Sequence, residues 1–202
     1  MKHQAKIRVR ISVATVCFYV ALLIFEPSAY TFLPLLAAAL HEGGHLCVML
    51  LVKRRVDAIR IYPFGVDIHA ENGNTGYYDD LAVALAGVAV NLLAFLFCLP
   101  HLSHPKVALF AGANLLLFFV NLFPIQLLDG GEALYILLLL HFAPDTAQRH
   151  MRRISFCAVV ILWIVATYFF LCSGYNFSLF AMAVYLFACM FLRPCSSQDY
   201  RG

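Results

Sequence analysis

Tyr30-Thr31-Phe32-Leu33-Pro34-Leu35-Leu36-Ala37-Ala38-Ala39-Leu40-His41-Glu42-Gly43-Gly44-His45-Leu46-Cys47-Val48-Met49-Leu50-Leu51-Val52 is an apolar run of helical length with two histidines and a glutamate at its centre. Positions four apart share one face of a helix, so His41 and His45 can bind a single zinc while Glu42 reaches the water bound to it. With eight histidines in the chain, random order would produce about 0.006 His-Glu-x-x-His motifs. The competing reading is a coincidental pair of core histidines; the pattern implies a metalloprotease site inside an apolar segment.

The whole chain shares that apolar character. It has 202 residues, of which 63% are hydrophobic and 12% charged, with a mean hydropathy of +0.83. A soluble domain carries about twice that charged fraction, so the composition excludes one and predicts a polytopic membrane protein. Segments near the 20 residues needed to cross a bilayer run from Val9 to Phe25, Tyr30 to Val52, Leu81 to Leu99, Lys106 to Phe142, Ile154 to Cys172 and Phe177 to Leu192. The fourth is too long for one straight helix and contains Asn121, Pro124, Gln126, Asp129 and Gly130-Gly131. It reads as one crossing interrupted near its middle. Freed backbone groups at membrane depth are tolerated where they line a protein-enclosed or watery cavity, so the break points at a site.

The expected fold is an all-α polytopic membrane protein of about six transmembrane helices, with a broken fourth helix and a short β-hairpin-like segment after the second. Residues 1–202 form a single integral membrane domain with its core at about 30–142. With both termini cytoplasmic, every Lys and Arg except Lys106 falls on the inner side, as the positive-inside rule requires. The net charge of +3 is accounted for by cations flanking spans and facing anionic headgroups, so no nucleic-acid partner is implied. The basic start before Val9 could suggest a signal peptide, but no small-x-small cleavage site follows and Glu26-Pro27 reads as a span exit. The seven cysteines, without Cys-x-x-Cys spacing, read as small buried hydrophobes.

Hydrolytic zinc usually has three protein ligands. The main further acids within the spans are Asp129 and Glu132, and an intramembrane acid is a functional candidate by default. Asp129, after the interruption and before two glycines, is preferred as the third ligand. A helix-capping role for Asp129, and a metal role for Glu132, stay open.

Three motifs resemble the signature elements of site-2 proteases, the intramembrane zinc metalloproteases: His41-Glu42-Gly43-Gly44-His45, Ala86-Gly87-Val88-Ala89-Val90-Asn91, and Asn121-Leu122-Phe123-Pro124-Ile125-Gln126-Leu127-Leu128-Asp129-Gly130. The resemblance implies that His41, His45 and Asp129 bind zinc, that Glu42 activates water, and that Asn121 and Asn91 orient or stabilise groups at the site, Asn121 in catalysis and Asn91 towards substrate. Ile59-Arg60-Ile61-Tyr62-Pro63-Phe64-Gly65 resembles the equivalent segment of the sporulation branch, which processes a membrane-associated pro-sigma factor and carries a C-terminal nucleotide-sensing domain. This chain stops ten residues after its last apolar segment. It departs from the family pattern at Val66, Val88 and Glu132, none of which is an expected ligand or base.

The expected reaction is hydrolysis of peptide bonds in membrane-anchored proteins or peptides near the cytoplasmic face of, by the branch resemblance, a bacterial cytoplasmic membrane. Partners are the substrate, the bilayer, and inhibitory or adaptor membrane proteins. Substrate must be held extended. Alternating residues on either side of Pro63, Phe64 and Gly65 suggest a hairpin whose edge could pair with it, so these three are assigned to substrate binding. His101 and His104, between two prolines and without a nearby acid, read as ordinary residues of an outer turn. The rival classes are a non-proteolytic membrane protein such as a metal-binding transporter, which would usually show repeated halves, and an inactive protease-derived binding protein, which would lack a ligand or the base.

Overall fold

The computed structural model describes residues 8–11, 20, 29–53, 56–62, 65–70, 76–173, 183–184 and 186–187. The chain divides into two compact units, Met1–Asn121 and Leu122–Gly202, and the division falls inside the third motif.

The first unit holds strand β1 (Arg8–Ile11), helix α1 (Ala29–Leu51), strands β2 (Val56–Tyr62) and β3 (Gly65–Ala70), helix α2 (Tyr77–Cys98), a 3-10 turn over Leu99–His101, and helix α3 (Pro105–Leu122). The carrier of the two histidines, α1, ends where Lys53 adopts φ 57°, the left-handed geometry that stops a helix, while Val52 and Lys53 donate backward to the carbonyls of Val48 and Leu50. Gly76 precedes α2, and Asp79 and Asp80 in its first turn suit the positive end of the helix dipole. Asp80, Val83, Ala84, Gly87, Val88 and Asn91 are buried. Their spacing of three and four makes one stripe, and α2 packs along α1.

Strand β2 is central in a three-stranded sheet, antiparallel to β3 and parallel to β1. The β2–β3 pairing joins Tyr62 to Gly65 and Ile59 to Ile68, with a register shift between Val56 and Ala58. The partnership of β1 corrects the expected start of the first span. Arg8-Val9-Arg10-Ile11 alternates with period two, a strand signal, and its backbone hydrogen-bonds to β2 from Ala58 to Ile61. The remainder of that expected span, apart from Val20, and most of the Phe177–Leu192 segment lie outside the described residues.

Helix α3 is 18 residues long, about 27 Å, so it is long enough to cross a bilayer core alone. This revises the reading of a single crossing broken at its middle. Pro124 has no N–H and disfavours helical geometry at Phe123, and the chain turns instead through Ile125 N–H to the Phe123 carbonyl and Leu128 N–H to the Ile125 carbonyl.

The second unit contains helix α4 (Asp129–Leu139) and helix α5 (Pro144–Ser173), which pack together. Ile125 is buried with Ala158, Val159 and Leu186. Ser155, fully buried, ties the interruption to α5 by accepting the Gln126 N–H at 3.0 Å and donating to the Pro124 carbonyl at 3.4 Å. The onset of α5 is ten residues before the expected apolar segment, because Ala147, Met151 and Ser155 extend the buried face by steps of four.

Four helices among the described residues are long and apolar enough to cross a membrane: Thr31–Leu51, Tyr77–His101, Pro105–Leu122 and Pro144–Cys172. Large apolar side chains face outward from them, Phe97 at 80% and Leu171 at 74% exposure, a surface suited to lipid and costly in water. The chain is an integral membrane protein. The same solvent explains Cys47, Cys157 and Cys172, expected to be buried but exposed: an apolar side chain loses nothing by facing acyl chains.

A Cβ at Gly131 would collide with the backbone of Ile125, whereas one at Gly112, in α3, would meet nothing within 4 Å. Gly131→Ala should therefore lower thermal stability by about 1–3 kcal/mol, and Gly112→Ala should leave it unchanged or raised by up to about 1 kcal/mol. Unfolding of the two detergent-purified variants, followed side by side, tests this contrast.

Candidate metal centre

His41 and His45 lie one turn apart on α1 and are buried, at 6% and 9% exposure. Their rings meet edge to face with centroids 4.9 Å apart, and their Nε2 atoms are separated by 3.3 Å. Two nitrogens bound tetrahedrally to zinc at 2.0–2.1 Å lie about 3.3 Å from each other. The donor set and its spacing therefore fit a zinc ion.

Both rings are held from behind by α2. His45 Nδ1 donates to the Val83 carbonyl at 2.8 Å, and His41 Nδ1 lies 2.9 Å from Asn91 Nδ2. Between these two attachment points stands Gly87, where a Cβ would lie 2.8 Å from His41 Nε2 and closer still to that of His45. The absence of a side chain there leaves the space in which the nitrogens converge. Sequence reasoning assigned no role to Val83 or Gly87; the signal was the spacing of four in Val83, Gly87 and Asn91, which puts all three on the face of α2 turned to α1.

Glu42 is half-buried, next to the first histidine. Asn121 is half-buried at the end of α3 and donates one Nδ2–H to the Leu117 carbonyl at 3.1 Å. Asp129 is the first residue of α4, and the residue before it, Leu128, offers no side-chain cap. Glu132 is exposed. His41 and His45 offer ring-nitrogen donors in the first unit, and Asp129 offers a carboxylate donor in the second. Gly65 opens β3, while Pro63 and Phe64 lie outside the described residues. Another buried amide not singled out from the sequence, Asn114, donates to the Phe110 carbonyl at 2.8 Å within α3.

No protein-family model matches the chain. The chain is 30% identical over 139 residues to Stage IV sporulation protein FB of Bacillus subtilis (strain 168), an alignment covering 65% of this chain and 48% of that protein. It thus spans about half the length of the curated relative it matches. Among solved structures it is similar to the site-2 protease from Methanocaldococcus jannaschii, with a TM-score of 0.63 and 20% identity over 95% of this chain and 92% of the other. That likeness establishes a shared fold.

The Gly87 contacts generate a test that needs no substrate. Gly87→Ala should reduce bound zinc to well below one per chain, measured by elemental analysis, while the helical circular dichroism stays at its wild-type value, since alanine favours the helix itself by about 1 kcal/mol.

Proposed function

We propose that this chain belongs to the site-2 protease family and is an intramembrane zinc metalloprotease that hydrolyses peptide bonds of membrane-anchored proteins or peptides near the cytoplasmic face. The observation that carries the reading is the 3.3 Å approach of the two Nε2 atoms on a buried helix face with Glu42 beside them. His41, His45 and Asp129 are the proposed ligands. Bound there, zinc would supply a Lewis acid that polarises the scissile carbonyl and acidifies the attacking water.

The chain's own groups do the rest. The Glu42 carboxylate takes a proton from the attacking water and returns it to the departing amine nitrogen as the peptide C–N bond breaks. One Nδ2 hydrogen of Asn121 is engaged with Leu117; the other is proposed to donate to the developing oxyanion. His45 precedes Lys53 by eight residues, which sets the metal about 12 Å inside the cytoplasmic boundary, so water reaches it from that side. This placement belongs to the six-span topology with both termini cytoplasmic, proposed from the distribution of Lys and Arg. Substrate is proposed to unwind and add as a strand to the sheet near Pro63, Phe64 and Gly65. Because β2 is paired on both sides, the acceptor would be the outer edge of β3 or β1.

Two substitutions separate the roles. Asp129→Ala should abolish zinc retention, and Glu42→Gln should retain about one zinc per chain but slow cleavage of co-expressed single-span test proteins by about 10²–10⁴-fold. Metal content and an immunoblot for the released fragment read the two outcomes. A folded wild type that binds no zinc would refute the reading, and so would cleavage at the wild-type rate by Glu42→Gln.

A further inference from the structure

Helix α5 is longer than a bilayer crossing needs. Its 30 residues measure about 45 Å, against a hydrocarbon core of about 30 Å. The stretch from Ile154 to Ser173 holds no charged residue and is by itself about 30 Å long, so it fills the core. The excess is the opening segment from Pro144 to Arg153, which reaches through the headgroup layer. Asp145, Arg149, His150, Arg152 and Arg153 are its titratable residues.

The arginines are not spread around the helix. All three are exposed, and spacings of three and four put them on one face, opposite the buried face of Ala147, Met151 and Ser155. Arg149 donates to Thr146 Oγ1 at 3.1 Å, which uses one of its five donors. Among the described residues, Arg152 and Arg153 have no hydrogen-bonded or ionic partner. Asp145, one turn before Arg149, is exposed and is the one acid of the segment, so positive charge is in excess. Further along, the same face turns apolar: Phe156 and Trp163, at 45% and 47% exposure, follow the arginines in helical step. Trp163 comes ten residues after Arg153, about 15 Å along the helix, which is the depth of one leaflet's acyl chains.

We propose that this face of α5 is a binding site for an anionic phospholipid, with the headgroup phosphate held by Arg149, Arg152 and Arg153 and the acyl chains laid over Phe156 and Trp163. Charge complementarity and continuity with the lipid-facing surface choose that occupant. Guanidinium forks match phosphate oxygens in pairs. An acidic peptide would answer to the arginines alone, whereas an amphiphile matches both the charged and the apolar part of the face. This goes beyond the general attraction of scattered flanking cations to a charged surface, because three guanidiniums share one face above one apolar track. The site also lies two residues from Ser155, whose hydroxyl ties α5 to the interruption at Pro124 and Gln126. A lipid that sets the depth of Arg152 and Arg153 thereby sets the depth of that tether. The assignment does not depend on the protease reading.

Trp163 is the only tryptophan of the chain, so its fluorescence reports on the lipids at this face. The full-length protein is reconstituted into phosphatidylcholine bilayers that contain, at equal mole fraction, either phosphatidylglycerol or phosphatidylcholine brominated on the acyl chains, and quenching of Trp163 is compared. Brominated phosphatidylglycerol should associate at least about 5-fold more strongly than brominated phosphatidylcholine. The triple variant Arg149→Gln, Arg152→Gln, Arg153→Gln should bring that ratio to about one, while removal of three cations elsewhere, by Lys2→Gln, Lys6→Gln and Arg201→Gln, should keep it at the wild-type value. Equal quenching by the two lipids in wild type would overturn the inference, however the variants fold. So would an unchanged ratio in the arginine variant, or an equal fall in the second variant, which would assign the preference to net charge. Binding of soluble hexaglutamate without any lipid preference would give the face to a protein segment instead and likewise overturn it.

Discussion

Two imidazoles buried among apolar helices set the constraint on which the first unit is built. A buried ring nitrogen among apolar helices is costly without a hydrogen-bond partner, so the neighbouring helix has to supply one. The stripe of α2 meets this need with three residues at steps of four. Val83 offers a carbonyl, Gly87 a bare backbone, and Asn91 a carboxamide, and together they face the two rings. Helix pairing and ligand orientation thereby become one problem. Sliding α1 along α2 by a single residue, about 1.5 Å, would misalign both ring contacts.

The second unit solves a different difficulty, that of backbone without helix in an apolar surrounding. The turns at Phe123 and Ile125 satisfy part of it, and Ser155 supplies a hydroxyl that both accepts and donates. Gly130 and Gly131 let the first turn of α4 lie directly on the backbone of Leu122 and Ile125. The outcome is a carboxylate, Asp129, in the first turn of a helix, where the dipole favours its charge. Ordered structure in the interruption is what fixes the position of a side chain that an unrestrained loop would leave variable.

Much of this architecture was legible from residue order. The His-Glu-x-x-His spacing is a statement about one helix face, and four apolar helices of crossing length follow from hydropathy. The break at Pro124 follows from a missing N–H and a steric clash. What escaped was of three kinds. The strand over Arg8-Val9-Arg10-Ile11 was overshadowed by the apolar run beside it, and its partner, β2, lies about 50 residues away. The early start of α5 was hidden by Arg149, Arg152 and Arg153, whose charge suggested a loop although Ala147, Met151 and Ser155 kept helical step. The outward cysteines were misplaced by a rule made for proteins in water.

The sequence by itself determined the donor chemistry, the apolar solvent and the places where helices begin to fail, because each depends on residue type and on spacing within one turn. Tertiary structure decided which nitrogen of each ring is committed and to what. It also decided that Gly87 keeps the site open and that Asn91 sits behind His41. These matters depend on the register between two helices whose contacting residues are 38 and 50 positions apart. Periodicity shows which face of a helix is buried; only the neighbouring helix determines which of its atoms point back, and a histidine takes its tautomer from those atoms.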